Sequence, residues 1–444
     1  MLSSAPTDTP DAPVIIIGAG MAGYSLAREL RKLSPDLAIT LISQDAADSY
    51  AKPTLSNAFA QNKAADSIAN ASAEQMAETL KLTVMNFYHV SQIDTANKTL
   101  TVHPVLASDK QQVLPYSRLV LATGANPRML PNVSVDNARI FAVNHLDEYK
   151  KFQQKIQQCQ ATSDAPTRVA IIGAGLIGCE FANDLVSQTS QHAMAISVFD
   201  NADLPLSSQL PPQAGEALLT ALTTAGVNFQ LGVTIDSIDS SNPDTLTVTV
   251  KDRNGQLQAH EFDVILVAIG LVANTALAEQ AGLAVAHLNA EQIAQVTHLP
   301  RTAQQGILVN QFLQTSVPDI YAIGDSANVM GSFMPYVMPL MNQARALAKT
   351  LSDQANDATA APTAVSYPAM PVTIKTPSLP LVVLPVAAQY ADSDINWQIT
   401  PTEDGMVLAA FAHDNTDKLL GFVLTGKEAG KQRMTLSKQV DAWL

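Results

Sequence analysis

The chain has 444 residues, 47% of them hydrophobic and 15% charged, which is too long for one ordinary core and points to two or three folded domains. Its formal net charge of −14 argues against a nucleic acid or an anionic membrane as partner, and no apolar run reaches the length of a bilayer span. The two cysteines, Cys159 and Cys179, exclude a disulfide scaffold, and the eight histidines are never paired at i, i+3 or i+4, so no metal site is expected.

Residues 1–12 have neither the basic start nor the apolar centre of a signal peptide; a short disordered lead and a cytoplasmic location are expected. Val14-Ile-Ile-Ile then reads as a buried parallel strand. Gly18-Ala19-Gly20-Met21-Ala22-Gly23 turns it directly into a helix with apolar positions at Leu26, Ala27, Leu30 and Leu33. In such a turn the first glycine allows the tight bend, the second lets a pyrophosphate approach the backbone, and the third lets helix and strand pack closely. The helix N-terminus adds free N–H groups and partial positive charge for the phosphates. A second strand, 37–42, ends at Ser43 where an acid is expected to hold an adenosine ribose; Asp45 follows two residues later, and the ribose contact stays unassigned.

The segment Tyr50-Ala-Lys52-Pro53-Thr-Leu55-Ser56 reads as a loop running into a helix, with Pro53 fixing the backbone and Ser56 available as a cap. Lys52 is either solvated or set over a bound isoalloxazine ring, where a cation would stabilise negative charge building up during reduction. Residues 64–81 read as helical and 82–115 as short strands; a buried strand from Tyr116 then ends in Ala122-Thr123-Gly124, and the chain crosses out at Pro127. Residues 145–160 form an amphipathic helix.

The opening motif then recurs. Val169-Ala-Ile-Ile-Gly173-Ala-Gly175-Leu176-Ile177-Gly178 repeats strand, glycine spacing and helix start 155 residues later, which points to two dinucleotide sites. Cys179 reads as a small buried hydrophobe. Glu180 is either a first-turn acid favoured by the helix dipole or an ion-pair partner for Lys52. The next strand ends at Asp200, placed to accept from both ribose hydroxyls. The residues after it carry no Arg or Lys to meet a 2′-phosphate, whereas Asp200 and Asp203 would repel one, so NADH is expected rather than NADPH.

Residues 213–225 read as a helix, 227–251 as hairpin strands, and 262–270, ending at Gly270, as a buried strand. Residues 284–305 are a polar excursion without identifiable chemistry. Thr315-Ser-Val-Pro-Asp-Ile-Tyr-Ala-Ile-Gly324-Asp325 delivers Gly-Asp at a strand end, where open α/β sheets bind ligands; a simple strand-end turn is the other account. From Met330 the texture changes: Tyr336-Val-Met-Pro339 runs into a helix, and a polar linker at 352–364 precedes a proline-rich strand region, 367–385; the tail from Trp397 reads as two strands, a turn at 427–430 and a final helix.

Taken together, the two glycine turns, Ala122-Thr123-Gly124 and Thr-Ser-x-Pro-x-Ile-Tyr-Ala-x-Gly-Asp resemble the FAD-dependent pyridine nucleotide reductase superfamily from Val14 to the C-terminus. Tyr50-x-Lys52-Pro53-x-Leu55-Ser56, with Tyr336-Val-Met-Pro339-Leu-Met and Ala-Arg345-Ala-Leu-Ala-Lys349, is most similar to the rubredoxin–NAD reductase family. The resemblance implies an α/β fold of two Rossmann-like domains plus a smaller α+β C-terminal domain. The FAD domain would span 13–125 and 273–330, an inserted NADH domain 126–272, and an acceptor-docking domain 331–444. It places Gly18, Ala19, Gly20, Met21, Ala22, Gly23, Ser43, Lys52, Pro53, Ala122, Thr123, Gly124, Gly324 and Asp325 at FAD. Gly173, Gly175, Leu176, Ile177, Gly178, Asp200 and Gly270 would hold NADH, and Lys52 paired with Glu180 would be catalytic.

Relatives that reduce disulfides or peroxide carry cysteine beside the flavin, whereas 43–59 has none, so the resemblance implies direct electron transport. NADH would give a hydride to flavin N5, and FAD would pass single electrons to rubredoxin or a similar small iron protein. Lys427, Lys431, Arg433 and Lys438, with Arg345, would dock that acidic partner on an otherwise acidic enzyme. The alternatives are a [2Fe–2S] ferredoxin or a nitrite reductase as acceptor, or an NADH-sensing flavoprotein like apoptosis-inducing factor. A monomer or weak dimer without membrane insertion is expected.

Overall fold

The computed structural model describes residues 12–131, 137–163, 165–187, 194–287, 305–387, 390, 394–401, 407–426 and 431–444. Most of the proposed lead, residues 1–11, lies outside them, as does 288–304 of the polar excursion.

Near-continuous β-branched runs can be buried on both faces, and they form two parallel sheets. In the first, Val14–Ile17 is central, flanked by Ile39–Ile42 and Arg118–Leu121, with Thr83–Met85 and Ile320–Ala322 at the edges. In the second, Thr167–Ile172 lies between Met194–Asp200 and Val264–Val267, with Asn228–Leu231 and Ile140–Phe141 outside. The chain leaves the first sheet through Ala125–Pro127 and returns through Leu271–Ala273, and these two segments pair antiparallel as a narrow ribbon. Each parallel sheet is accompanied by a three-stranded antiparallel sheet, 88–115 and 234–262.

Elsewhere the tertiary structure redraws the sequence reading. The helix expected over 64–81 is a 3-10 turn, Ala65–Ser67, followed by Ala73–Leu80, which starts in a capping box of Ser72 and Gln75. Leu33, expected on the buried face of the first nucleotide helix, is exposed because the helix ends there. Asn228–Leu231, read as part of a hairpin, joins the parallel sheet instead.

The long helix Val337–Asn356 packs against the helix after the first glycine turn, Met21–Leu33, and shares its core through Ala344, Leu347 and Leu351. A boundary at residue 330 therefore cuts through a packed unit; Val365, Tyr367 and Met370 belong to the same core. Beyond it a five-stranded antiparallel sheet runs in the order 372–374, 381–384, 419–425, 407–413, 396–401. The tail thus has three strands after Asn396, not two, before the short helix Arg433–Ser437; the turn expected at 427–430 lies outside the described residues. No helix among the described residues is long and apolar enough to cross a membrane.

Candidate functional site

Both glycine turns obey the same steric logic. Gly18 and Gly173 take φ of +115° and +110°, and a Cβ on either would stand 2.2 Å or 2.5 Å from a carbonyl oxygen of the neighbouring strand's end, Ala122 or Ala268. A Cβ on Gly23 or Gly178 would stand 1.9 Å from the carbonyl oxygen of Gly18 or Gly173, so each helix sits against its strand with no room for a side chain. Gly20 and Gly175 have nothing within 4 Å of a Cβ position. Their open side is the approach a pyrophosphate needs, ahead of the unpaired N–H groups of helices Met21–Leu33 and Leu176–Val186.

The two turns face one continuous cavity of ≈2570 Å³, more than twice a typical ligand pocket and roomy enough for two dinucleotides. Every residue expected at a cofactor lines it except Gly23, Gly178 and Gly324. Those three act through close packing instead; a Cβ on Gly324 would meet Ala22 Cβ at 2.7 Å. Gln343 of the long helix accepts from the Gly324 N–H (2.6 Å) and donates to the Tyr367 hydroxyl (2.7 Å), fixing the turn that presents Asp325. Ser43 Oγ donates to Asp45 Oδ1 at 2.6 Å and both line the cavity, so a carboxylate stands two residues on from the position where an acid was expected. Asp200 accepts from the N–H of Ala174 (2.6 Å) and Ala202 (2.8 Å), one on each oxygen; a carboxylate offers about four lone-pair sites, leaving two for a ribose diol.

The expected Lys52–Glu180 pair does not form. Lys52 Nζ lies 3.9 Å from Asp325 Oδ2 across the floor of the cavity. Burial pulls the lysine down and pushes the aspartate up, and each charge opposes the shift of the other. Glu180, 1% exposed, pairs with Lys375, whose Nζ is 2.7 Å from Oε2. Ser56 Oγ donates to the same oxygen (2.5 Å), and the Lys375 backbone N–H to Oε1 (2.8 Å). Ser56 therefore caps no helix; it sits in the 3-10 turn Lys52–Asn57, also held by Lys375 Nζ through the Pro53 carbonyl. One carboxylate on the second nucleotide helix thus joins a segment beside the first sheet to the C-terminal sheet.

Two further residues of that helix repeat the arrangement. Asn183 Oδ1 accepts from Ser378 N–H (3.0 Å), and Asp184 accepts from the N–H of Phe59 (3.0 Å) and Ala60 (2.8 Å). Phe59 packs edge-on against Tyr149 and Phe152, and Phe152 against Phe181, which sets the loop on the helix. Burial pushes the Asp184 carboxyl from 3.8 up to about 6 despite its two donors. Its folded-state value is the higher one, so the native protein holds this proton more tightly and loses stability as pH rises from 3.8 to about 6. The full loss is of the order of 3 kcal/mol. Asp184→Asn is expected to remove that slope in urea titrations between pH 4 and 7; a variant with the wild-type slope would assign it elsewhere.

Sequence reading missed Lys375, although a signal exists: it is the one charge in the stretch 370–386. Ser56, Asn183 and Asp184 look like ordinary loop and helix polar residues and give no such signal. Neither cysteine lines the cavity; Cys179 is buried, and burial pushes its thiol far above the usual range. Among the described residues no group of three His, Cys, Asp or Glu could hold a metal.

At the cavity mouth stand Val337 and Met338, which open the long helix, and Arg433, Met434, Ser437 and Lys438 of the last short helix. Met338 is 48% and Met434 64% exposed. Of the basic residues expected to dock an acceptor, Arg433 and Lys438 reach this mouth, Arg345 and Lys431 are exposed but do not line it, and Lys427 lies outside the described residues.

Residues 12–350 match the family described as pyridine nucleotide-disulphide oxidoreductase, and residues 364–440 match a rubredoxin binding C-terminal domain. The rubredoxin-NAD(+) reductase of Acinetobacter baylyi is 44% identical over 96% of this chain and 98% of its own. That of Alcanivorax borkumensis is 37% identical over 97% and 99%. Among solved structures, the covalent putidaredoxin reductase–putidaredoxin complex superposes with a TM-score of 0.76 at 20% identity, covering 97% of this chain and 94% of that one, which speaks for the fold. A two-turn cavity of this geometry, matched along almost the whole chain by such relatives, shows that the protein belongs to the pyridine nucleotide-disulphide oxidoreductase family.

Proposed function

We propose that this chain is an NADH-dependent, FAD-containing reductase that passes electrons one at a time to rubredoxin, acting in the cytoplasm as a monomer or weak dimer. The observation that carries the reading is the continuous cavity joining both glycine turns to a mouth shared by the start of the long helix and the last short helix, the latter inside the segment matching the rubredoxin-binding domain, with no cysteine along it. The flavin, when bound, supplies the exchange between a two-electron donor and a one-electron acceptor.

The protein's own residues do the rest. In this reading 13–125 and 273–330 carry FAD and 126–272 carries NADH, each by its glycine turn. Lys52, held near Asp325, keeps positive charge at the cavity floor, where it would stabilise the anionic reduced ring. The Glu180–Lys375–Ser56 cluster holds the three segments that close around the junction of the two sites. With no thiol at that junction, electrons leave towards the mouth.

There, exposed Met338 and Met434 offer an apolar centre, and Arg433 and Lys438 a basic rim, on a protein of net charge −14. Such a rim steers an acidic partner. In stopped-flow reoxidation at equal concentration, rubredoxin is expected to react faster than a [2Fe–2S] ferredoxin, with a second-order rate that falls as salt rises. Arg433→Ala/Lys438→Ala should lower that rate several-fold at low salt and leave NADH reduction of the flavin unchanged. A faster reaction with ferredoxin, or a salt-independent rate, overturns the assignment of partner or patch respectively.

A further inference from the structure

The loop after Asp200 has no cation of its own, but the fold brings one to it. The hairpin between strands Leu246–Lys251 and Leu257–Phe262 carries Arg253 to the turn at Gly232. Gly232 N–H donates to the Ala202 carbonyl (2.9 Å) and Val233 N–H to the Asp200 carbonyl (3.0 Å), so this turn is bonded directly to the dinucleotide loop. Arg253 Nη2 lies 2.6 Å from Asp203 Oδ1, and both side chains are well exposed, at 65% and 69%. A Cβ on Gly232 would sit 3.3 Å from Asp203 Oδ1 and 3.6 Å from Arg253 Nε, so the ion pair lies across the glycine with no side chain between. Val233 and Thr234, the next residues, line the cavity together with Asp200, Asn201 and Ala202.

We propose that Asp203 is a specificity-determining residue: it occupies Arg253, the guanidinium that would otherwise serve a 2′-phosphate at the adenosine end of the dinucleotide pocket. The inference rests on the reading of that pocket as the NADH site. A guanidinium is the group best shaped to grip a phosphate, through paired N–H donors. A carboxylate already bonded to it offsets its charge and engages the Nη2 edge of its donor fork. Asp200 and Asp203 then leave the ribose edge net negative, which suits a free 2′-hydroxyl and opposes a phosphate. NADH selectivity is set by a three-residue arrangement, of which only the two acids lie in the loop itself. Because the pair is exposed, its own contribution to stability is small, and its removal leaves the fold intact.

The test uses adenosine probes that need neither flavin nor an electron acceptor. Binding of 5′-AMP and 2′,5′-ADP is measured by calorimetry on wild type, Asp203→Ala, and Asp203→Ala/Arg253→Ala. Asp203→Ala is expected to raise affinity for 2′,5′-ADP about tenfold with little change for 5′-AMP, the size of one recovered charge-assisted contact. The double variant should return to the wild-type ratio. With ferricyanide as acceptor, the NADPH-to-NADH ratio of kcat/KM should shift in the same direction and by a similar factor. Equal changes for both probes, or a gain that persists without Arg253, overturn the proposal while leaving the pocket's identity standing. A wild type that binds neither probe overturns the pocket reading itself.

Discussion

Gly23→Ala is expected to yield protein that is purified colourless and does not retain added FAD. The new methyl would stand 1.9 Å from the Gly18 carbonyl oxygen, and that obstacle is backbone, so no rotamer relieves it. Either helix Met21–Leu33 lifts from its strand or the turn at Gly18 deforms. The helix is trapped on its other side by the long helix Val337–Asn356, so the turn gives way. Overpacking of this kind costs about 1–3 kcal/mol or more, concentrated at the phosphate-facing backbone. Gly178→Ala makes the same 1.9 Å contact in the second sheet and separates the two sites. It should stay yellow and be reduced by dithionite, yet show an NADH reduction rate at least about a hundredfold lower, as expected when about 3 kcal/mol of cofactor positioning is lost. Gly20→Ala is the control, because its φ of −71° suits alanine and nothing lies within 4 Å. It should fold normally and weaken FAD binding only. Flavin retention by Gly23→Ala, or loss of flavin by Gly178→Ala, would reassign the two turns.

Lys375→Met should be the most destabilising single change outside the glycine turns. It leaves the Glu180 carboxylate 1% exposed, with the Ser56 hydroxyl and one backbone N–H but no counter-charge. Breaking a buried pair from one side costs about 3–5 kcal/mol. For domains of this size that corresponds to a fall in Tm of roughly 10 °C. The double variant Lys375→Met/Glu180→Gln removes the stranded charge and should recover most of the loss. This recovery distinguishes an ion-pair effect from a packing effect of the longer lysine stem. Because the pair ties the C-terminal sheet to the second nucleotide helix, limited proteolysis of Lys375→Met should release the region after about residue 370 first. A melting temperature within about 2 °C of wild type would remove the pair from the account of how these segments are held.

The elements legible in the sequence were those whose cause is local. Val14–Ile17 and Thr167–Ile172 had to be buried strands because no other placement hides so many adjacent β-branched residues, and the glycine spacing after each dictated the turn and the helix start. The acid at Asp200 was readable for the same reason, since it stands at a strand end counted from the motif. Reading failed where a residue's partner lies far along the chain. Lys52 and Glu180 both line the cavity, but their pairing depends on where Asp325 and Lys375 arrive, and neither arrival is encoded within a window of neighbours. The long helix was assigned to the C-terminal part because texture changes at Met330; its apolar face has no label saying which core it joins.

Sequence alone therefore determined the two strand–turn–helix units, their order, the absence of a thiol from 43–59, and the net negative charge. These follow from residue size, branching and charge, properties a chain carries wherever it folds. Tertiary structure decided which charge meets which: Asp325 with Lys52, Lys375 with Glu180, Arg253 with Asp203. Ion pairs form between groups that packing has already brought within a few ångströms. That packing is set by the burial of whole faces, so the pairing is known only once the sheets and helices have been assembled.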